Sequence, residues 1–380
     1  MRTLPRAFLL ALLVAWPLIP ERALAQDGFH LTPTLTVAQV YDDDLSPQNA
    51  GPTEALISRL TPQLAARYGS ERLTLLARGM FDSEVFDSRP ERIARWARRM
   101  GELQFHALAT KRLTASAGAT YWDTETPKDL TTETGFDPGL ARTQSLKVSS
   151  SVAYRLTELS EATVAYDFNR TAQAGLLTDT QALKPGINGQ LTQRDAGRLD
   201  VLVRRLTFHN HLTLQSVVPL LGWAHQVTPQ ISFALLGGPR FTNGALEDAE
   251  ASASIRQDLK TVHASLTYAR TQTALAGLLG TVNTQSVSAA VLCEPFDRLS
   301  LSVGSAAFVS AGGPLEAKIF QLRVDATYPV TAWMAIVGTY RYSLQRVSHL
   351  DVGQPAGELA YHNLLSLGVS IEPPSERRHL

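Results

Sequence analysis

The chain holds one cysteine, Cys293, in 380 residues, so no intramolecular disulfide can staple it. No long apolar run follows residue 25, which excludes a transmembrane helix from the rest of the chain. Neither sign of charge is in excess, since 35 Lys and Arg balance 35 Asp and Glu. That balance gives nucleic acid no electrostatic reason to bind. Charged residues are only 18% of the chain and apolar ones 44%. This apolar surface must be placed somewhere without disulfides or membrane helices to help.

The start of the chain reads as a targeting segment. Arg2 and Arg6 make a positive region, residues 7–19 (AFLLALLVAWPLI) an apolar one, and Ala23-Leu24-Ala25 a small-residue cleavage site. Residues 1–25 are therefore expected to be a cleaved signal peptide. The next residue, Gln26, is not a cysteine, so no lipid anchor is expected. One domain is expected over 26–372, with a short polar tail at 373–380.

What the remaining chain has in abundance is alternation. Phe29, Leu31, Leu35, Val37 and Tyr41 fall on one face, with His30, Thr32, Thr34 and Thr36 on the other. The same pattern places Leu56, Leu60, Leu64 and Tyr68 opposite Arg59, Thr61, Gln63 and Arg67. It recurs at 146–156, 262–268 and 359–371. A period of two over about ten residues marks a strand with one apolar and one polar face.

The connections also fall into two alternating sets. Short ones lie at 68–72, 109–113, 156–161, 191–197, 227–230, 256–260, 295–298 and 329–333. Longer ones, richer in Asp, Gly and Pro, lie at 42–53, 87–92, 123–142, 172–181, 208–212, 242–247, 271–281, 310–316 and 344–358. Short turns at one end and long loops at the other describe an all-β, closed antiparallel transmembrane β-barrel. About 18 strands (16–20) are expected, with short periplasmic turns and longer extracellular loops, in the outer membrane of a Gram-negative bacterium. A closed sheet pairs every backbone group in lipid. Aromatic residues cluster at the expected membrane edges, among them Tyr154, Tyr328 and Trp333 at one and Tyr41, Phe168, Phe208 and Tyr342 at the other. A soluble sandwich or propeller is the competing reading. Two stretches fit the barrel poorly. Strand eight, expected at 182–191, contains Pro185, Gly186 and Gly189. Residues 88–103 also fit a short helix capped by Ser88 and Glu91, which would start strand four near Gly101.

PTLTVAQVYDDDLS (33–46), the recurrent R-L-T turns, LGGPRFTNG (236–244), LTYARTQTALAG (266–277) and the run 327–345 resemble a family of Gram-negative outer-membrane β-barrels. Such proteins are often encoded with exopolysaccharide biosynthesis and export systems of the PEP-CTERM type. The resemblance covers nearly all of the mature chain. It implies an outer-membrane location and a link to extracellular polysaccharide; the barrel with its polar lumen suggests a passive pore or export channel. The implied partners are outer-membrane lipid and lipopolysaccharide, the barrel assembly machinery and polysaccharide export components. The last strand departs from the usual pattern, because PPSERRHL follows it in place of a terminal aromatic residue.

Alternation points Arg59, Arg67, Arg78, Arg98, Arg204, Arg240, Arg323 and Arg341 into the barrel, with Asp82, Glu102, Asp167, Asp200 and Asp325. These residues are expected to line the lumen. Rings of charge set pore selectivity, and an arginine excess would favour anions. The alternative is that they pair across strands and hold the lumen together. Asp42, Asp43 and Asp44 form an acidic cluster at the start of the first extracellular loop, without the spacing of a calcium loop. His209 and His211 are too few for a closed metal site. His263 and Ser265 resemble a strand-borne hydrolase pair, but lack the Asn-Gly that follows the serine in outer-membrane phospholipases and point inward. No catalytic residue, cofactor, metal or nucleic-acid partner is expected. An outer-membrane enzyme acting on lipid or glycan, and a structural or adhesive barrel with a closed lumen, are the alternatives to a channel.

Overall fold

The structure is a computed structural model. It describes residues 28–43, 54–86, 93–125, 135–136, 142–173, 175–210, 212–275, 278–296, 298–313, 315–350 and 359–373. The expected signal peptide and most of the C-terminal tail lie outside these residues.

Among the described residues there are 18 strands and no helix. They are β1 (Phe29–Asp42), β2 (Ala55–Gly69), β3 (Leu73–Phe86), β4 (Ile93–Leu108), β5 (Leu113–Thr124), β6 (Thr143–Arg155), β7 (Ser160–Gln173), β8 (Leu176–Gln190) and β9 (Asp195–Phe208). Then follow β10 (Thr213–Thr228), β11 (Ile231–Thr242), β12 (Ala245–Asp258), β13 (Val262–Ala274), β14 (Thr281–Phe296), β15 (Leu299–Ala311), β16 (Leu315–Pro329), β17 (Met334–Leu350) and β18 (Leu359–Ile371).

Each strand pairs antiparallel with the next, and β18 pairs back with β1, from Leu35 opposite Ile371 to Asp42 opposite Leu364. The sheet has no free edge. Following the registers once around returns to β1 about 22 residues from the start, which sets a tilt of roughly 40° and a backbone radius of about 18 Å.

The outward face is apolar and uncovered. Leu221 is 72% exposed and Leu367 63%, and Leu31, Leu199 and Ile187 are also exposed. A water-soluble domain would not leave such a continuous apolar face in water. A bilayer is the solvent that suits it.

Three local expectations need correction. Residues 93–103 are strand, not helix: β4 begins at Ile93 and pairs with both β3 and β5. Closure overrides the local helical pattern, because a helix here would leave the facing ladder groups unpaired. The expected long loops at 172–181 and 242–247 are two-residue hairpins, since β8 already begins at Leu176 and β12 at Ala245. Asn243 and Gly244 both have positive φ, 49° and 87°, as a type I′ hairpin requires. Phe208 does not join an outer aromatic girdle. It faces the lumen at 2% exposure.

The irregular composition of β8 has a physical origin. Pro185 donates no hydrogen bond, and the β8–β9 ladder skips from Leu183 to Gly186. Gly186 lies opposite Asp200, and a Cβ there would sit 1.9 Å from Asp200 Oδ1. The glycine makes room for the carboxylate.

Candidate functional site

The register sorts side chains into lipid-facing and lumen-facing sets. On the inner face of β2–β4, Arg59 bonds Glu84 at 2.7–2.8 Å, and Arg98 bonds Asp82 at 2.7 Å. Asp82 also accepts from Thr61 Oγ1 at 2.7 Å. Arg78 pairs with Glu102 on the adjoining strand. Asp82 is fully buried, so its charge is held by these donors and not by water.

The inner face of β14–β16 is the opposite in character. Val282, Phe308, Leu315, Ala317 and Ile319 form a buried apolar cluster there. Two segments cover it. Gly135 and Phe136 come from the β5–β6 connection, nearly diametrically across the barrel. Phe136 joins the cluster, and Gln321 Nε2 donates to Gly135 O at 2.9 Å. Gly135 has φ +66°, and a Cβ there would lie 2.5 Å from the Phe308 ring, so the contact requires glycine. The second segment is the outer end of the β13–β14 hairpin. β13 pairs with β12 only up to Arg270, while β13 and β14 stay paired to Ala274 and Thr281. Freed from β12, this end turns inward, and Leu275 and Leu278 join Phe136.

Two arginines pin it. Arg204 donates to Gln272 O at 3.1 Å and bonds Glu250 at 2.8 Å. Arg240, 1% exposed, donates to Asn283 Oδ1 at 2.7 Å. The two inward segments leave a cavity of about 970 Å³ against the inner wall of β3–β9. His106, Lys147, Asp167, Asn169 and Arg204 contribute to its lining.

The sequence-predicted charges are thus brought mostly into pairs. Arg59, Arg78, Arg98, Arg204 and Arg240 each meet a carboxylate from another residue of the lumen wall or its rim. Arg323 pairs with Asp325 on its own strand at 2.6 Å, and Asp200 with Arg198 at 2.6 Å. Arg67 lies on the same face near the short turns and is exposed. Arg341 faces Arg323 across the β16–β17 ladder. Asp167 lines the cavity. Sequence reasoning missed Glu84, Glu250 and Lys147. Alternation places all three inward, so the signal was present in the period of two.

The acidic cluster is divided. Asp42 Oδ1 lies 2.6 Å from His362 Nε2, while Asp43 accepts from Asn363 N at 2.6 Å and Nδ2 at 2.5 Å. Asp44 lies outside the described residues. Asp42 and Asp43 reach the same strand, with ligand atoms within 4.8 Å of one another and of His362. Their contacts clasp β1 to β18 where the barrel closes.

His263 has an orienting carboxylate, with Nδ1 2.9 Å from Asp258 Oδ1. Ser265 shares its face. The geometry shows no hydrogen bond from Ser265 to His263, so the nucleophile lacks its base.

A closed barrel with an apolar exterior and a polar, partly filled interior defines the class: a transmembrane β-barrel of the outer-membrane type. No family model matches the chain, and no curated protein matches it. Among solved structures it is similar to OpdO of Pseudomonas aeruginosa, at 12% identity over 90% of this chain and 97% of that one, with a TM-score of 0.47. OpdQ of the same organism is similar at 12% identity over 91% and 98%, with a TM-score of 0.46. The siderophore receptor PirA of Acinetobacter baumannii is similar at 6% identity over 90% and 80%, with a TM-score of 0.44.

Proposed function

We propose that this protein is a passive channel of a Gram-negative outer membrane. Solute would pass through the cavity between the inward-turned segments and the β3–β9 wall. The observation that carries the reading is the cavity of about 970 Å³, of mixed polar and apolar lining, left inside a closed barrel. A solid core would have served a purely structural barrel better. The paired arginines act as scaffold for the lumen wall. Lys147 and Asp167, which line the cavity without an ion pair among the described residues, are the charges a passing ion would meet.

The finer reading is a link to extracellular polysaccharide, drawn from the family resemblance. An acidic oligosaccharide threading the cavity would meet Lys147 and the flank of Arg204. Lipid, lipopolysaccharide and the barrel assembly machinery are the partners this reading requires, and polysaccharide export components the ones the resemblance adds.

Reconstitution in a planar bilayer tests the channel. Discrete conductance steps are expected, and added acidic oligosaccharide should shorten the open times. No step at any voltage would reject the channel in favour of a closed structural barrel. Steps indifferent to acidic oligosaccharide would reject only the polysaccharide link.

A further inference from the structure

The lipid-facing side of β16 and β17 carries a charge arrangement that the fold alone does not explain. Lys318 and Arg346 are directly opposed across the ladder. Both are exposed, and both lie within four residues of the long-loop ends of their strands. Like charges at opposed positions repel. Neither residue has an ion pair or hydrogen bond among the described residues. Three other outward arginines at this end are neutralised by the protein itself, whereas the exposed Arg205 stands alone with no second cation opposite it. Arg99 and Arg142 share Asp123, and Arg170 bonds Asp179. Glu316 lies two residues beyond Lys318 but forms no ion pair with either cation.

The surface around the pair is apolar towards the membrane centre. Phe320 packs against Tyr342 with ring centroids 6.4 Å apart, and Tyr361 is exposed opposite Leu344. Cations above an aromatic and aliphatic surface match a lipid whose phosphates sit above its acyl chains.

We infer that Lys318 and Arg346 form a seat for a phosphorylated lipid headgroup of the outer leaflet, one phosphate bridging the ammonium and the guanidinium. The bound anion converts a repulsive pair into a bridged one. The inference rests on the outer-membrane placement proposed above, but not on conduction.

Native mass spectrometry of the detergent-purified protein tests it, with bisphosphorylated and fully dephosphorylated lipid A as probes. The wild type is expected to retain the bisphosphorylated form, and Lys318→Gln/Arg346→Gln to lose about tenfold in retention. Lys318→Arg/Arg346→Lys should retain it. Inorganic phosphate at equal concentration should not displace it, because the acyl chains bind too. Equal retention by the Gln variant, or equal retention of dephosphorylated lipid, would overturn the inference. Full displacement by inorganic phosphate would also overturn it, by showing a free-anion site. Heat-modifiable migration reports folding, and Lys318→Met alone, expected to weaken retention severalfold, serves if the double variant does not fold. Conductance should be unchanged in every variant, so failure of the lipid seat leaves the channel reading standing.

Discussion

The two inner walls of this barrel solve the same problem in opposite ways. The β2–β4 wall is ionic, with Asp82, Glu84 and Glu102 matched to Arg59, Arg78 and Arg98. The β14–β16 wall is apolar, with Phe308, Leu315 and Ile319 buried beneath Phe136, Leu275 and Leu278. An inward side chain in a wide barrel meets water unless something crosses the lumen to cover it. Where nothing crosses, polar groups pair with their neighbours on the wall. Where a segment crosses, hydrophobic burial provides the docking force. The lumen is therefore asymmetric, with the open cavity on one side and the covering segments on the other.

The sharpest way to break the comparison is on the ionic wall. Asp82→Ala removes the fully buried carboxylate that Arg98 and Thr61 share and is expected to cost about 3–5 kcal/mol, read as a lower urea midpoint for unfolding. Glu84→Ala should cost clearly less, because Arg59 keeps Asp82 at 3.8 Å. Equal losses would mean that the wall acts as one network and not as separate pairs.

The lipid face gives the next largest effect. Leu221→Arg places a charge on the exposed apolar exterior and is expected to cost about 2–4 kcal/mol. Thr180→Arg, on the cavity side of β8, should be tolerated within about 1 kcal/mol. A reversal of that order would show that inner and outer faces are exchanged.

On the apolar wall, Phe136→Ala removes the contact that holds the β5–β6 segment to the opposite side. A loss of about 2–3 kcal/mol in docking should raise single-channel conductance, while the unfolding midpoint moves little. Unchanged conductance would mean that this segment does not narrow the path. The smallest effect is expected at Lys147. Lys147→Gln should shift the reversal potential towards cations with stability within about 0.5 kcal/mol of wild type. An equal shift from Arg59→Met would restore the paired arginines as the selectivity charges.

Alternation was enough to read the exterior. Leu31, Leu64, Leu199 and Leu367 face outward in the register, as their period of two demands. The eight short turns were legible from their polar composition. The Asn243-Gly244 turn is legible too, although the polar residues around it extend the expected loop to 242–247. β4 was ambiguous because residues 93–103 satisfy both a helical and a strand period, and only the ladders on either side decide between them. The lumen was half legible. Its charges could be placed by parity, but pairing depends on which strands adjoin and in what register.

By itself, the sequence determined that this chain exposes one apolar face per strand, needs no disulfide and has strands enough for a wide barrel. These properties are local, carried by residues two apart. Tertiary structure alone decided the closure of β18 on β1, the clasp of Asp42 and Asp43 on His362 and Asn363, and the crossing of Phe136 to Phe308. Each joins residues far apart in sequence across a lumen whose width is set by the number and stagger of all the strands together. No single segment encodes that width, so no local pattern could announce what would fill it.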